Sequence, residues 1–283
     1  MRSKLEQLRK LRDQLKFNVS GRENINSNEL YLFVSNHNSL MDIFYLPMAV
    51  DVPIADMISS RLMYKKVLDR QKMVNDYLYA MPVEAHGGKV YSNMCLKSGA
   101  ILLASGINVG IFPEGAYLSE DDVVYRGRTG ATRMLYAVKN MGIDPKLVPV
   151  AIQSKGQFDI DSYEIDDRNV DVTILEPVDY HNSYENFLLS NNFQDKNYYL
   201  HEPIDVCMRN IAESLNRSYD NNYIELFPKG NVIFSDGSTV LTSDAQDEKY
   251  VSLYKKDLDE RVKVLQKEIS NIPKVNRFTS IER

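Results

Sequence analysis

A histidine and an aspartate five positions apart are the residues of this chain whose types and spacing best suit chemistry. They lie in "VSNHNSLMD", where Asn36 and His37 follow an apolar run and Asp42 opens another. Imidazole exchanges a proton near neutral pH, and a carboxylate bonded to one ring nitrogen fixes the tautomer and stabilises the imidazolium. If both side chains point into one cleft, they form a base and its orienting carboxylate. Otherwise they are ordinary polar residues of a loop.

A second candidate is "GIFPEGAYLS", in which an apolar run ends at Phe112 and Pro113 fixes a turn. Glu114 and Gly115 then present a carboxylate and a flexible backbone. A predicted helix start follows this segment and is surrounded by three arginines, an arrangement that suits anion binding. Alternatively, these arginines are solvated and pair with the acidic segment 119–122. The three are Arg126, Arg128 and Arg133.

Apolar runs of strand length alternate with helical stretches from residue 29 to about residue 153. The runs are "LYLFVSN", "VPIADM", "YLYAMPVEA", "NVGIFPEG" and "LVPVAIQS", and the predicted helices include Ser92–Ser105 and Ala131–Met141. This pattern predicts an α/β fold with a mainly parallel central sheet flanked by helices. Because ligands bind beyond the carboxyl ends of parallel strands, we expect His37 and Glu114 at one edge of the sheet.

These linked motifs resemble those of the glycerolipid acyltransferases, the lysophosphatidic acid and glycerol-phosphate acyltransferases. That family shares Asn-His-x-x-x-x-Asp, a segment ending in arginine, Phe-Pro-Glu-Gly-Thr-Arg and Val-Pro-Val, in this order. The resemblance spans about residues 31–152. The matching residues are Asn36, His37 and Asp42, then Phe112, Pro113, Glu114 and Gly115, then Val148, Pro149 and Val150.

The resemblance implies transfer of an acyl group from a thioester to a hydroxyl of a lysophospholipid or glycerophosphate-like acceptor. The donor would be acyl-CoA or an acyl carrier protein, with no metal or cofactor beyond this co-substrate. His37 would be the general base and Asp42 its orienter. The residues expected to contact substrate are Asn36, Phe112, Pro113, Glu114, Gly115, Tyr117, Arg126, Arg128 and Arg133.

The chain departs from the family pattern at two arginines associated with the acceptor phosphate. Tyr117 stands where one is common, and Ala85 and His86 occupy the region of the other. Neither a phenol nor a methyl group replaces a bidentate guanidinium. The acceptor could therefore be an amine or a non-phosphate metabolite, or its phosphate is held elsewhere, with the three arginines named above as candidates. A thioesterase and an inactive acyl- or lipid-binding protein are further alternatives.

Composition limits the class of protein. The chain has 283 residues, 43% of them hydrophobic, and a formal net charge of -5. It is typical of a globular protein and has no general basic field, so no nucleic-acid partner is expected. Two cysteines give neither a disulfide framework nor a zinc site, which favours the cytoplasm. No apolar stretch approaches the roughly 20 residues of a spanning helix.

The sequence divides into three predicted parts: an amphipathic helix in 1–20, an acyltransferase-like domain in 21–218 and a C-terminal extension with a helix in 219–283. Residues 1–17 combine a leucine stripe with many basic residues. They either pack on the domain or make peripheral contact with the inner membrane face. Residues 181–201 are predicted to be an acceptor-side loop or a surface insertion. The helix predicted in 251–269 either packs on the domain or joins two copies.

Overall fold

The computed structural model describes residues 3–64, 70–84, 88–116, 122–154, 169–224 and 231–272. The strands are β1 (Lys16–Ser20), β2 (Tyr31–Ser35), β3 (Ile54–Ser59), β4 (Tyr79–Val83), β5 (Asn108–Ile111), β6 (Val123–Tyr125), β7 (Lys146–Ser154), β8 (Asn169–Ile174), β9 (Ser218–Asp220), β10 (Asn231–Ile233) and β11 (Thr239–Leu241). The helices are α1 (Lys4–Arg12), α2 (Asp42–Val50), α3 (Ser60–Tyr64), α4 (Arg70–Tyr77), α5 (Gly88–Ala104), α6 (Gly130–Lys139), α7 (His181–Leu189), α8 (Phe193–Ser214) and α9 (Glu248–Ser270).

Within the described residues, seven strands form one sheet in the order β1-β8-β7-β2-β5-β3-β4. The five strands from β7 to β4 run parallel to one another. Strand β8 pairs with β7 in the antiparallel direction, and the edge strand β1 runs parallel to β8. The predicted α/β fold with a mainly parallel central sheet is confirmed. The carboxyl ends of β2 and β5 are adjacent, so the segments that follow these two strands meet at one edge.

Both faces of the sheet are buried, which explains why the strands read as nearly continuous apolar runs. A hydrophobic core covers each face of the sheet. Successive side chains of β2 point into these two cores in turn, because side chains alternate between the faces along a strand. Tyr31 and Phe33 pack with α1, α2 and α4, and Leu32 and Val34 pack on the face covered by α5, α6, α8 and α9. The His37 segment thus leaves a strand that is fixed from both sides.

Elements from both predicted terminal segments, α1 and α9, pack on this same body. In the predicted 1–20 segment, α1 is followed by the edge strand β1, which pairs with β8. The leucine stripe of α1 points inwards, since Leu5 and Leu8 are buried. In the 219–283 segment, α9 contributes Leu258 and Leu265 to the core beside α5. No helix in the described ranges is both long and apolar enough to cross a bilayer.

The loop predicted at 181–201 is wrong, whereas most side chains there are exposed or half-exposed, in keeping with the surface placement of the alternative. This stretch forms α7 and the first nine residues of α8. The second helix has a side-chain cap, because Asn192 Oδ1 accepts the backbone N–H of Asp195 at 2.8 Å. The aromatic residues Tyr184 and Phe187 pack on Tyr136 of α6, whereas Phe193 and Tyr198 are exposed.

Candidate active site

His37 and Asp42 lie together at the carboxyl edge of the sheet. His37 follows β2, and Asp42 is the first residue of α2. Their closest atoms, Nδ1 of His37 and Oδ2 of Asp42, are 3.3 Å apart. The Asp42 side chain is only 1% exposed, and its Oδ2 also accepts the backbone N–H groups of Asn38 at 2.8 Å and Ser39 at 2.7 Å. These donors fix the orientation of the Asp42 side chain at the start of α2.

The Glu114 carboxylate joins the two motifs. One oxygen accepts the backbone N–H of His37 at 2.7 Å, and the other accepts the backbone N–H of Tyr125 at 3.0 Å. Burial raises the pKa of Glu114 to about 7, although the two amides and Arg217 oppose this rise. The sequence predicted that Glu114 would contact the acceptor. Its observed partners are backbone amides of this chain, an arrangement that positions His37.

Asn36 anchors the His37 segment to the next strand. Its side-chain oxygen accepts the N–H of Ile152 at 2.8 Å, and its side-chain nitrogen donates to the Ile152 carbonyl at 2.9 Å. The same nitrogen donates to Oδ1 of Asn38 at 2.7 Å. Since Ile152 belongs to β7, this buried amide continues the β2–β7 pairing past the end of β2. Asn36 therefore has a positioning role in the described geometry.

The turn after β5 supports the imidazole ring. The ring centroids of His37 and Phe112 are 4.5 Å apart. The Pro113 carbonyl accepts the N–H of Arg128 at 2.7 Å, and Gly115 has a φ of 81°, in the left-handed region that favours glycine. The predicted Phe-Pro-Glu-Gly segment and the His37 segment are thus in direct contact.

The three arginines predicted near the acceptor each bond within the chain. Arg126 forms a bidentate ion pair with Asp205, at 2.9 and 2.7 Å. Arg128 donates to the Ile224 carbonyl at 2.9 Å, and Arg133 donates to the Thr129 hydroxyl at 3.1 Å. The alternative placed their ion pairs with residues 119–122, but the observed carboxylate partner of Arg126 lies on α8.

Other predicted positions lie outside the described residues: Tyr117, Ala85 and His86. The sequence interpretation also missed Tyr125 and Arg217. Nη1 of Arg217 donates to Oδ1 of Asn38 at 2.8 Å, across a separation of 179 residues. No local pattern marks either residue, because tertiary structure brings both to the motif. Within the described ranges, no group of three or more His, Cys, Asp or Glu side chains is arranged to hold a metal ion.

Residues 16–153 match the family model described as "Acyltransferase". This match identifies residues 16–153, just under half of the chain, as an acyltransferase-family domain. The family predicted from the motifs is confirmed by the match, which runs from the first residue of β1 into β7. It therefore includes the His37–Asp42 pair and Glu114 of the acyltransferase domain, whereas Arg217 lies beyond it.

A solved structure that resembles this acyltransferase is the 1-acyl-sn-glycerophosphate (LPA) acyltransferase PlsC from Thermotoga maritima. The two chains are 20% identical, the alignment covers 75% of this chain and 80% of the other, and the TM-score is 0.47. Comparison with curated proteins gives no match.

Proposed function

We propose that this acyltransferase moves an acyl group from a thioester, carried on coenzyme A or an acyl carrier protein, to a hydroxyl of a lysophospholipid or glycerol-phosphate-like acceptor. The observation that carries this proposal is the buried Asp42 carboxylate, 3.3 Å from Nδ1 of His37 at the carboxyl edge of the sheet. With Nδ1 facing Asp42, Nε2 is the nitrogen assigned to the reacting proton.

The proposed reaction uses His37 as a general base. The acceptor oxygen attacks the thioester carbonyl carbon while its proton passes to Nε2. Asp42 stays ionised and stabilises the imidazolium that forms. Collapse of the tetrahedral oxyanion breaks the carbon–sulfur bond, and the departing thiolate takes the proton back from Nε2. The products are an ester and a free thiol, and His37 returns to its neutral form.

The acceptor class determines where the enzyme would work. For a soluble glycerol phosphate the enzyme would act in the cytoplasm. For a lysophospholipid it would act at the inner face of the membrane, where the acceptor resides. Because Leu5 and Leu8 are buried against the domain, α1 could offer these leucines to lipid only by leaving its present position.

Thiol release tests the proposal when it is measured together with the acylated product. Purified protein is given acyl-CoA or an acylated carrier protein, with glycerol 3-phosphate, lysophosphatidic acid, an alkylamine or no acceptor. Thiol release that requires a phosphate acceptor and equals ester formation supports the proposal. Amide formation would favour the amine alternative suggested by Tyr117. Release without any acceptor would indicate a thioesterase, and donor binding without release would indicate an acyl-binding protein.

A further inference from the structure

The positively charged side chain of Arg217, which comes shortly after the end of α8, lies beside the His37 segment. Arg217 is outside the matched acyltransferase domain. After α8, Asn216 adopts a left-handed φ of 53°, and the N–H of Arg217 donates to the Ala212 carbonyl at 2.8 Å. The next residue, Ser218, begins β9, and its N–H donates to the Asp122 carbonyl at 3.0 Å. The backbone of Arg217 is therefore fixed by a helix end on one side and a strand on the other.

The side chain of Arg217 reaches the residue directly after His37. Its Nη1 lies 2.8 Å from Oδ1 of Asn38, whose backbone N–H in turn bonds Asp42. The positive charge of Arg217 also acts on Glu114, where it opposes the rise in pKa that burial causes. The guanidinium thus lies beside both segments of the candidate active site.

We propose that Arg217 determines acceptor specificity by binding a phosphate monoester on the acyl acceptor, carried by a lysophospholipid or by a soluble glycerol phosphate. The inference rests on the proposed acyltransferase function and names the class of acceptor. A guanidinium presents a planar fork of N–H donors that fits phosphate oxygens in a bidentate manner. An anionic group held one residue from His37 would place a neighbouring acceptor hydroxyl within reach of Nε2.

The geometry distinguishes Arg217 from the arginines that the sequence favoured. Arg126 already forms a bidentate pair with Asp205 on α8. Arg133 bonds the Thr129 hydroxyl one helical turn away. Arg217, in contrast, bonds Asn38 of the His37–Asp42 segment itself. A phosphate site at Arg217 would not require either of the motif arginines that Tyr117 and Ala85 replace.

A binding measurement tests Arg217 without requiring turnover. Isothermal titration calorimetry compares glycerol 3-phosphate and glycerol on the full chain, on Arg217→Gln and on Arg209→Gln. Arg209 is the control because it is an exposed arginine on α8, the helix that ends at Ser214 shortly before Arg217, and it contacts the Tyr219 ring. We expect Arg217→Gln to weaken glycerol 3-phosphate binding by about 10- to 100-fold, with Arg209→Gln and glycerol binding unchanged. Unchanged phosphate binding in Arg217→Gln would overturn the inference.

Kinetics separate substrate binding from a purely structural role of Arg217. Lysophosphatidic acid and monoacylglycerol are compared as acceptors, with thermal unfolding as a control for folding. We expect Arg217→Gln to raise KM for lysophosphatidic acid with little change in kcat, and to leave monoacylglycerol kinetics unchanged. Equal losses with both acceptors would show that Arg217 acts only through Asn38, which overturns the inference.

The remaining outcomes also decide between the two proposals. If Arg217→Gln does not fold, Arg217→Met, which keeps the aliphatic part and removes the charge, replaces it: weakened phosphate binding supports the inference, and wild-type affinity overturns it. Suppose that the wild-type protein binds glycerol 3-phosphate but transfers no acyl group, and that Arg217→Gln loses this binding. The anion site then stands and the proposed function fails. Acyl transfer by a wild-type protein that binds no phosphate acceptor would leave the acyltransferase function in place and overturn the role of Arg217.

Discussion

Asp42 is the residue on which the orientation of His37 depends. Asp42→Asn would remove the negative charge that stabilises the imidazolium, although its amide oxygen can still accept the bonds now made to Oδ2. We expect kcat for acyl transfer to fall by about 10²- to 10⁴-fold, the usual size of a general-base contribution. Asp51→Asn, at the other end of α2, is the control and should keep wild-type kcat. Equal kcat in Asp42→Asn and wild type would contradict this role.

Asp56 is a second buried carboxyl, and it lies away from the His37 segment. It occupies the middle of β3, and neither of its oxygens has a hydrogen-bond partner among the described residues. The space beside it depends on Gly110, because a Cβ at Gly110 would lie 2.7 Å from Oδ1 of Asp56. Burial raises the pKa of Asp56 well above the ordinary value.

The raised pKa of Asp56 predicts the direction in which stability changes with pH. Between the ordinary aspartate pKa and the raised one, the folded state keeps a proton that the unfolded state has released. The free energy of unfolding therefore falls as pH rises through this window, by up to about 1.4 kcal/mol per pH unit. Asp56→Asn should flatten this dependence in urea unfolding from pH 5 to pH 8. The exposed control Asp259→Asn should keep the wild-type slope, and an equal slope in Asp56→Asn would refute the account.

At the scale of elements, α1 combines a basic surface with a buried leucine face. Leu8 is 2% exposed and packs with α2 and α4, whereas Leu253 of α9 is 42% exposed. We expect Leu8→Ala to lower the free energy of unfolding by about 2–5 kcal/mol. Leu253→Ala should change it by about 0.5 kcal/mol or less. Urea unfolding measures both, and a neutral Leu8→Ala would show that α1 is not docked in solution.

The elements also show why some of the fold was predictable. The five runs assigned as parallel strands are long and apolar because both their faces are buried. In contrast, β1 escaped detection because it is a half-exposed edge strand in which Phe17 and Val19 alternate with polar residues. α7 and the first nine residues of α8 escaped detection because their start signals, including Asn192, lie in a stretch rich in asparagine and aromatic residues.

At the scale of the whole molecule, the C-terminal segment belongs to the same core as the acyltransferase domain. Leu265 of α9 is fully buried, while its neighbour Val264 is 42% exposed. We expect Leu265→Ala to destabilise the whole protein by about 2–5 kcal/mol in a single transition, and Val264→Ala by about 0.5 kcal/mol or less. Circular dichroism and tyrosine fluorescence should give coincident unfolding curves. Separate transitions would show that α9 unfolds independently.

The fold of the whole molecule also decides which residues of the candidate site could be predicted from the sequence. His37, Asp42 and Glu114 were predictable because short motifs at strand ends contain them. Arg217 was not, because its position depends on the path of α8 across the sheet and the turn at Asn216. The same folding gives Arg126 a carboxylate partner, Asp205, that no local pattern indicates.

The most direct test of the central claim is the rate of acyl transfer by His37→Ala, measured as acceptor-dependent formation of ester under saturating donor. The variant should stay folded at the assay temperature, since the backbone bond from His37 to Glu114 and the bond from Ile152 to Asn36 do not involve the imidazole. We predict that transfer falls by at least about 10²-fold relative to wild type. Wild-type transfer by a folded His37→Ala protein would contradict the claim that this histidine is the general base.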